Sequence, residues 1–367
     1  MLVGGKWAEA RSGETFEVTN PANGDVIQAI PNGAREDASR AIDAAYNAFP
    51  AWAGTTAYDR SATLYRAWQL MVERKDQLAR TMTEEQGKPL RAANTEVQYA
   101  ADFLLWFAEE AKRVYGETIP SGRPDQRFIV MHQPVGVVAA ITPWNYPVSM
   151  ITRKVGPALA AGCTVVLKPA EATPLCAIET FKILEEAGVP KGVINLVSAE
   201  NPAPIGEEFV TNPKVAKLTF TGSTVVGKML AGKAAANMKR VSCELGGHAP
   251  FMVFSDANPV HAAKGAQLVK FLNTGQACIS PNRIYVADKL VDEFVGTLAE
   301  RVGKMKAGSG FEEGVTIGPL VNEAAVAKVE THVNDASSHG ADIVCGGSRL
   351  TGGNLSKGHF FAPTVIN

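Results

Sequence analysis

The first third of the chain repeats apolar residues at three- and four-residue spacing, the pattern of helices buried along one face. Helices are expected over 34–49, 58–86 and 92–115. Leu64, Trp68 and Met71 mark one stripe, and Val97, Ala101, Leu104, Leu105 and Ala108 another. Gly87-Lys88-Pro89 and Gly116 supply stop signals. Such stripes predict helix faces packed on a sheet, not a binding surface. From Val135 the period shortens. Runs rich in β-formers at 135–141, 164–167, 193–197 and 217–221 alternate with helical stretches near 148–161, 173–187, 204–210 and 224–237. Strict alternation of strand and helix predicts a parallel sheet covered on both faces, with ligands collecting at the carboxyl ends of its strands. Trp144, Asn145, Lys168, Gly222 and Ser223 all fall at that edge.

A second α/β series follows Glu244. It comprises strand 251–254, helix 259–272, strand 283–286, helices 289–306 and 323–339, strand 342–345 and an extended end at 360–366. At 367 residues the chain is long for a single core. The expected fold is α/β: a parallel-sheet, Rossmann-like domain over 1–245 and a second α/β domain over 246–367. Residues 126–138 read as a hairpin leaving the first domain.

Composition excludes more than it selects. With 46% apolar and 20% charged residues, the chain is an ordinary globular protein. Its 36 Lys and Arg balance 37 Asp and Glu, so no global field recruits nucleic acid or anionic lipid. The amino terminus lacks the apolar core of a signal peptide, and Gly and Pro break the longest apolar run, 155–167. The five cysteines, Cys163, Cys176, Cys243, Cys278 and Cys345, are widely spaced and odd in number. That argues against a disulfide framework and against a zinc site, and it fits a reducing cytoplasm. No metal is expected.

Several motifs carry chemistry. Residues 222–229 approach the phosphate loop G-x-x-x-x-G-K-[ST], but Met229 stands where a hydroxyl must ligate magnesium. The stretch is not G-x-G-x-x-G either. What remains is a strand, a Thr-Gly-Ser turn and a helix amino terminus, which can receive a pyrophosphate. Lys168 ends a strand, where a long cation often snorkels towards water. Glu244 sits in Cys-Glu-Leu-Gly-Gly and Cys278 in Asn-Thr-Gly-Gln-Ala-Cys-Ile-Ser. A thiol and a carboxylate beside flexible glycines can divide covalent catalysis between a nucleophile and a water-activating base.

Together with Pro-Trp-Asn-Tyr-Pro at 143–147 and Leu-Lys-Pro-Ala-Glu at 167–171, these signatures make the chain resemble the aldehyde dehydrogenase family from Gly4 to its last residue. The resemblance implies that the Cys278 thiolate adds to an aldehyde, hydride leaves for a nicotinamide, and water activated by Glu244 hydrolyses the resulting thioester. It assigns the oxyanion to the side-chain amide of Asn145 and the backbone amide of Cys278, donors typically worth roughly 3–4 kcal/mol each. It implies a cofactor site of Thr142, Pro143, Trp144, Asn145, Lys168, Pro169, Ala170, Glu171, Gly222, Ser223 and Leu245, with Lys168 on the adenosine ribose. A carboxylate at Glu171 can accept from both ribose hydroxyls and repels a 2′-phosphate by about 4 kcal/mol at most before screening. NAD is therefore expected, with NADP the alternative. Relatives that transfer the acyl group to coenzyme A replace the glutamate, so Glu244 implies a free acid product.

Residues 151–163 and 315–320, with 325–332 and 344–347, resemble succinate-semialdehyde dehydrogenases within the family. In that group an arginine matching Arg153 clamps the substrate's distal carboxylate, a task suited to its planar fork. The competing reading of Arg153 is a helix-surface ion pair. The group's second arginine is here Leu272, and its second loop cysteine is Ser280. A lost hydrogen bond to a charged group weakens binding roughly ten- to hundredfold. Succinate semialdehyde leads, and sulfolactaldehyde, lactaldehyde and glycolaldehyde are the alternatives. The family also continues past 360–365 into a segment whose glutamate holds the nicotinamide ribose, and into strands that complete the catalytic domain. The second domain is thus expected to be incomplete, with the chain either a fragment or lacking part of its site. In the latter case an exposed sheet edge and reduced activity follow. The family's subunit-pairing hairpin, matched to 126–138, implies a homodimer or homotetramer at full length, without nucleic acid or membrane partners. An inactive scaffold or binding protein is the rival class.

Overall fold

The computed structural model describes residues 1–367, which divide into two compact units. The first comprises Met1–Glu17, Ala29–Leu78 and Asn94–Glu244, and the second Val18–Gln28, Ala79–Ala93 and Leu245–Asn367.

A seven-stranded sheet organises the first unit. Its order is Arg240–Glu244, Val215–Thr221, Val137–Ile141, Thr164–Lys168, Ile194–Leu196, Leu2–Val3 and Lys6–Trp7. The first five strands run parallel, and the last two are antiparallel additions. Thr164–Lys168 is buried at every residue, which explains its unbroken apolar run: helices cover both faces. Arg35–Ala53 packs on this strand, while Ala57–Glu73 packs on Ser149–Ala160 and Pro174–Glu186.

Three sequence expectations shift. The single helix over 58–86 is two, Ala57–Glu73 and Lys75–Gln86, separated at Arg74 (φ −97°, ψ 18°). Leu70, Met71, Leu78, Ala79 and Met82 stay buried across the break, so periodicity does not register a one-residue kink. The expected hairpin at 126–138 pairs Phe128–Val130 with Glu117–Ile119 upstream, because Pro124 and Asp125 form the reversal. The mostly helical first third also contains four short strands before residue 32, among them Thr15–Thr19, where Phe16 and Val18 alternate inward.

The second unit is built on two small sheets. Phe251–Val253 runs parallel to Ile284–Val286, and Ile343–Cys345 antiparallel to Val365–Ile366. The extended end expected over 360–366 is thus a strand at its last two residues. Helices Pro259–Lys270 and Val291–Gly303 close a core of Val253, Ala263, Ala266, Phe294, Leu298, Val302 and Val365. Burying Phe294 alone is worth about 2–3 kcal/mol. Helix Glu323–Ser338 buries Val326 and Val333 against Leu320 and Phe361. Asn258 and Asn322 cap two of these helices, accepting from His261 N and Ala325 N. No helix is long and apolar enough to cross a membrane.

Gly87 ends helix Lys75–Gln86 at φ +83°, and a Cβ there would overlap the Pro319 ring. Gly87→Ala combines left-handed strain with overpacking and is expected to destabilise the second unit by about 2–4 kcal/mol. A lowered urea midpoint at unchanged slope is the readout. An unchanged midpoint would show that Pro319 yields freely.

Candidate active site

Strand register builds the first unit's part of the site. Ile141 stands opposite Lys168 and Phe220, and Thr221 opposite Glu244, so four adjacent parallel strands end in one row. Two hydrogen bonds extend the row: Thr142 N donates to Lys168 O (3.2 Å) and Gly222 N to Glu244 O (3.1 Å). Thr142, Pro143, Trp144, Asn145, Lys168, Pro169, Ala170, Glu171, Gly222, Ser223 and Glu244 therefore follow or end neighbouring strands along a single edge.

Lys168 does not snorkel. It is 3% exposed, and its amine donates to Glu171 Oε2 at 3.0 Å. Burial lowers its pKa, and the Glu171 carboxylate works in the opposite direction. A Cβ at Gly222 would lie 2.5 Å from the Phe220 ring, so only glycine leaves this floor open. Ser223 caps helix Thr224–Ala236 by accepting from Val226 N (3.3 Å), and the exposed first turn faces water with its amides. Thr221 Oγ1 is buried with no partner in the protein. An open floor, a helix amino terminus and an unused hydroxyl together fit a dinucleotide's phosphates and ribose.

Helix Ser149–Ala160 begins just after Asn145 and carries Arg153 and Lys154. Its start is held by Glu96, a buried carboxylate that accepts from Val148 N (3.1 Å), Ser149 N (3.2 Å) and Ser149 Oγ (3.4 Å). This anion at a helix amino terminus complements the helix dipole. Arg153 makes no ion pair. Its guanidinium lies 5.4 Å from the Phe103 ring centroid, and Nη1 donates to Met150 Sδ at 3.8 Å. Lys154 is buried, with its amine donating to Thr219 Oγ1 at 3.0 Å. Its pKa is lowered to about 8, chiefly by desolvation and also by the charge of Arg153, with Glu244 and Cys243 opposing. Sequence reasoning singled out neither Glu96 nor Lys154, since the stretches at 92–115 and 151–163 are read for their apolar stripe and subgroup resemblance, which do not show what a polar residue within them meets.

In the second unit, Cys278 is the exposed one of five free cysteines. It follows a tight left-handed run, Asn273 (φ 50°), Thr274 (φ 59°) and Gly275 (φ 77°). A β-branched threonine resists that conformation, so the surroundings must enforce it. Gly318 N donates to Thr274 Oγ1 (3.0 Å), and Val321 N donates to Gln276 Oε1 (3.0 Å). Ser280 Oγ donates to Lys270 O (2.8 Å). Asn282 N donates to His248 O (3.2 Å), tying the glycine-rich segment after Leu245 to the loop. Gly318, within the 315–320 run read from sequence as a subgroup marker, and Val321 just after it thus latch the thiol's loop.

The chain is an oxidoreductase of the aldehyde-oxidising class. The aldehyde dehydrogenase family model matches residues 7–367, and the chain belongs to that family. It is 52% identical over 366 residues to the Escherichia coli succinate-semialdehyde dehydrogenase [NADP(+)], covering 100% of this chain and 75% of the relative. It is 51% identical over 364 residues to a Pseudomonas putida glutarate-semialdehyde dehydrogenase, covering 99% of this chain and 74% of the relative. A solved Escherichia coli NADP-dependent enzyme superposes with a TM-score of 0.97 at 51% identity, over 100% of this chain and 75% of that one.

Lys154 sets a pH dependence. Its folded pKa of about 8 lies below the ordinary 10.5. Between those values the unfolded chain keeps a proton that the native state lacks, so native stability rises with pH and is lost as pH falls through about 8. The urea-derived stability difference between wild type and Lys154→Met should move in favour of wild type by up to about 3 kcal/mol from about pH 7 to 10. A flat difference would contradict the buried amine.

Proposed function

We propose that this chain oxidises a small aldehyde with a distal anionic group to the free carboxylic acid, with succinate semialdehyde as the leading substrate and NAD preferred to NADP. Membership of the aldehyde dehydrogenase family makes it an NAD(P)-dependent, aldehyde-oxidising enzyme. The observation that carries the substrate class is Arg153, a partly buried guanidinium with no carboxylate partner in its own protein. Relatives named for the semialdehydes of succinate and glutarate support the same class.

In this reading the Cys278 thiolate attacks the aldehyde carbon, and the Asn145 amide and Cys278 N–H donate to the oxyanion. NAD, when bound by Lys168, Glu171 and the 222–226 turn, would supply the hydride acceptor. Glu244 then accepts a proton from the water that attacks the Cys278 thioester, releasing the acid and restoring the thiol. Lys168 and Glu171 hold the adenosine ribose, and residues 222–226 the phosphates. Arg153 binds the distal carboxylate through its fork, with Leu272 in place of a second arginine. The exposed apolar side chains of the 117–130 hairpin, including Ile119, Phe128 and Ile129, support pairing of copies into a homodimer or homotetramer. Five free cysteines suit a reducing cytoplasm.

Glu244→Gln should preserve a stoichiometric burst of NADH while steady-state turnover falls roughly a hundredfold or more, as loss of a general base predicts. Rapid-mixing absorbance reads both phases, and an undiminished steady state would remove Glu244 as the base. In parallel, kcat/KM should be higher with NAD than with NADP, since the Glu171 carboxylate opposes a 2′-phosphate. The reverse ranking overturns that assignment.

A further inference from the structure

We propose that Phe103 is a specificity-determining positioning residue, whose ring is the platform that orients the Arg153 guanidinium towards a substrate's distal carboxylate. The inference rests on the carboxylate-binding role proposed above for Arg153.

A guanidinium has five N–H donors in a rigid fork. Here its one protein acceptor is the Met150 thioether at 3.8 Å, a weak one. Hydrogen bonding therefore does not fix the fork. The remaining contact is the ring face of Phe103, 5.4 Å from the guanidinium carbon and within range of cation–ring attraction. A planar cation over a planar ring keeps its donor edge directed outward, where an incoming carboxylate finds two parallel N–H groups.

The platform itself is rigid. Phe103 lies on helix Leu90–Glu110 one turn after Tyr99, and the two rings meet edge to face at 4.8 Å and 64°. The same helix grips the one that carries Arg153 at two further points. Glu96 receives the amides of Val148 and Ser149. One turn beyond Phe103, Phe107 packs so near Gly156 that a Cβ there would lie 3.3 Å from its ring. Glu96, Phe103 and Phe107 thus meet 148–149, Arg153 and Gly156 in order along two helices. Phe103 is the member of that series that touches the charged group.

The test compares succinate semialdehyde with butanal, an uncharged aldehyde of equal chain length. Phe103→Leu should raise KM for succinate semialdehyde roughly three- to tenfold, leaving its kcat and both constants for butanal unchanged. Phe103→Tyr, which keeps the ring face, should restore the wild-type KM. In an Arg153→Met background, Phe103→Leu should add nothing. If Phe103→Leu leaves KM for succinate semialdehyde unchanged, raises KM for both aldehydes equally, or is not rescued by tyrosine, the platform role is overturned. If Arg153→Met itself leaves the preference for the charged aldehyde intact, the carboxylate-binding reading fails first, and separately.

Discussion

The register of the parallel strands is the constraint on which the first unit's chemistry depends. Val137–Ile141 is hydrogen-bonded on both flanks, to Thr164–Lys168 and Val215–Thr221, and it is buried over its first four residues. A slip of one residue would exchange the side chains packed on the sheet's two covered faces, so the pairing is strongly specified. Because it is, Lys168 and Glu244 reach the same edge from strands more than seventy residues apart. The candidate site residues are passengers of an apolar pairing in which they take little part.

Buried charge is distributed by the same logic. Glu96 is satisfied by helix amides, and Lys168 by a carboxylate. Each exchanges hydration for a partner of matching sign or dipole, which is what makes burial tolerable. Lys154 has a hydroxyl instead, and burial lowers its pKa to about 8. Arg153 takes a third solution, with an aromatic face beneath it and partial exposure above.

Much of this was legible in the sequence. Alternation of strand and helix from 135 to 237 is a strong periodic signal, and it placed Asn145, Lys168, Gly222 and Ser223 at strand ends as the structure does. Strand Arg240–Glu244 escaped because it is a sheet edge: Arg240, Ser242 and Glu244 are exposed, and polar alternation masks its pairing. Glu96 and Phe103 escaped for a different reason. Their roles arise from which helix lies against which, and helical periodicity reports a buried face without naming its partner. The ion pair weighed for Arg153 does not form; its guanidinium meets the Phe103 ring and Met150 Sδ instead. The latch on Thr274 and Gln276 was illegible because its other half lies some forty residues downstream.

That latch has a temporal side. In a turn with three consecutive left-handed residues, Asn273 and Gly275 suit the conformation and Gln276 N donates to Asn273 O (3.1 Å), but the β-branched Thr274 does not, and amides donated by 318 and 321 help hold it there. During synthesis the cysteine emerges well before those amides do. The loop around the sulfur is therefore completed late in the life of the chain, by a partner segment as well as by its immediate neighbours.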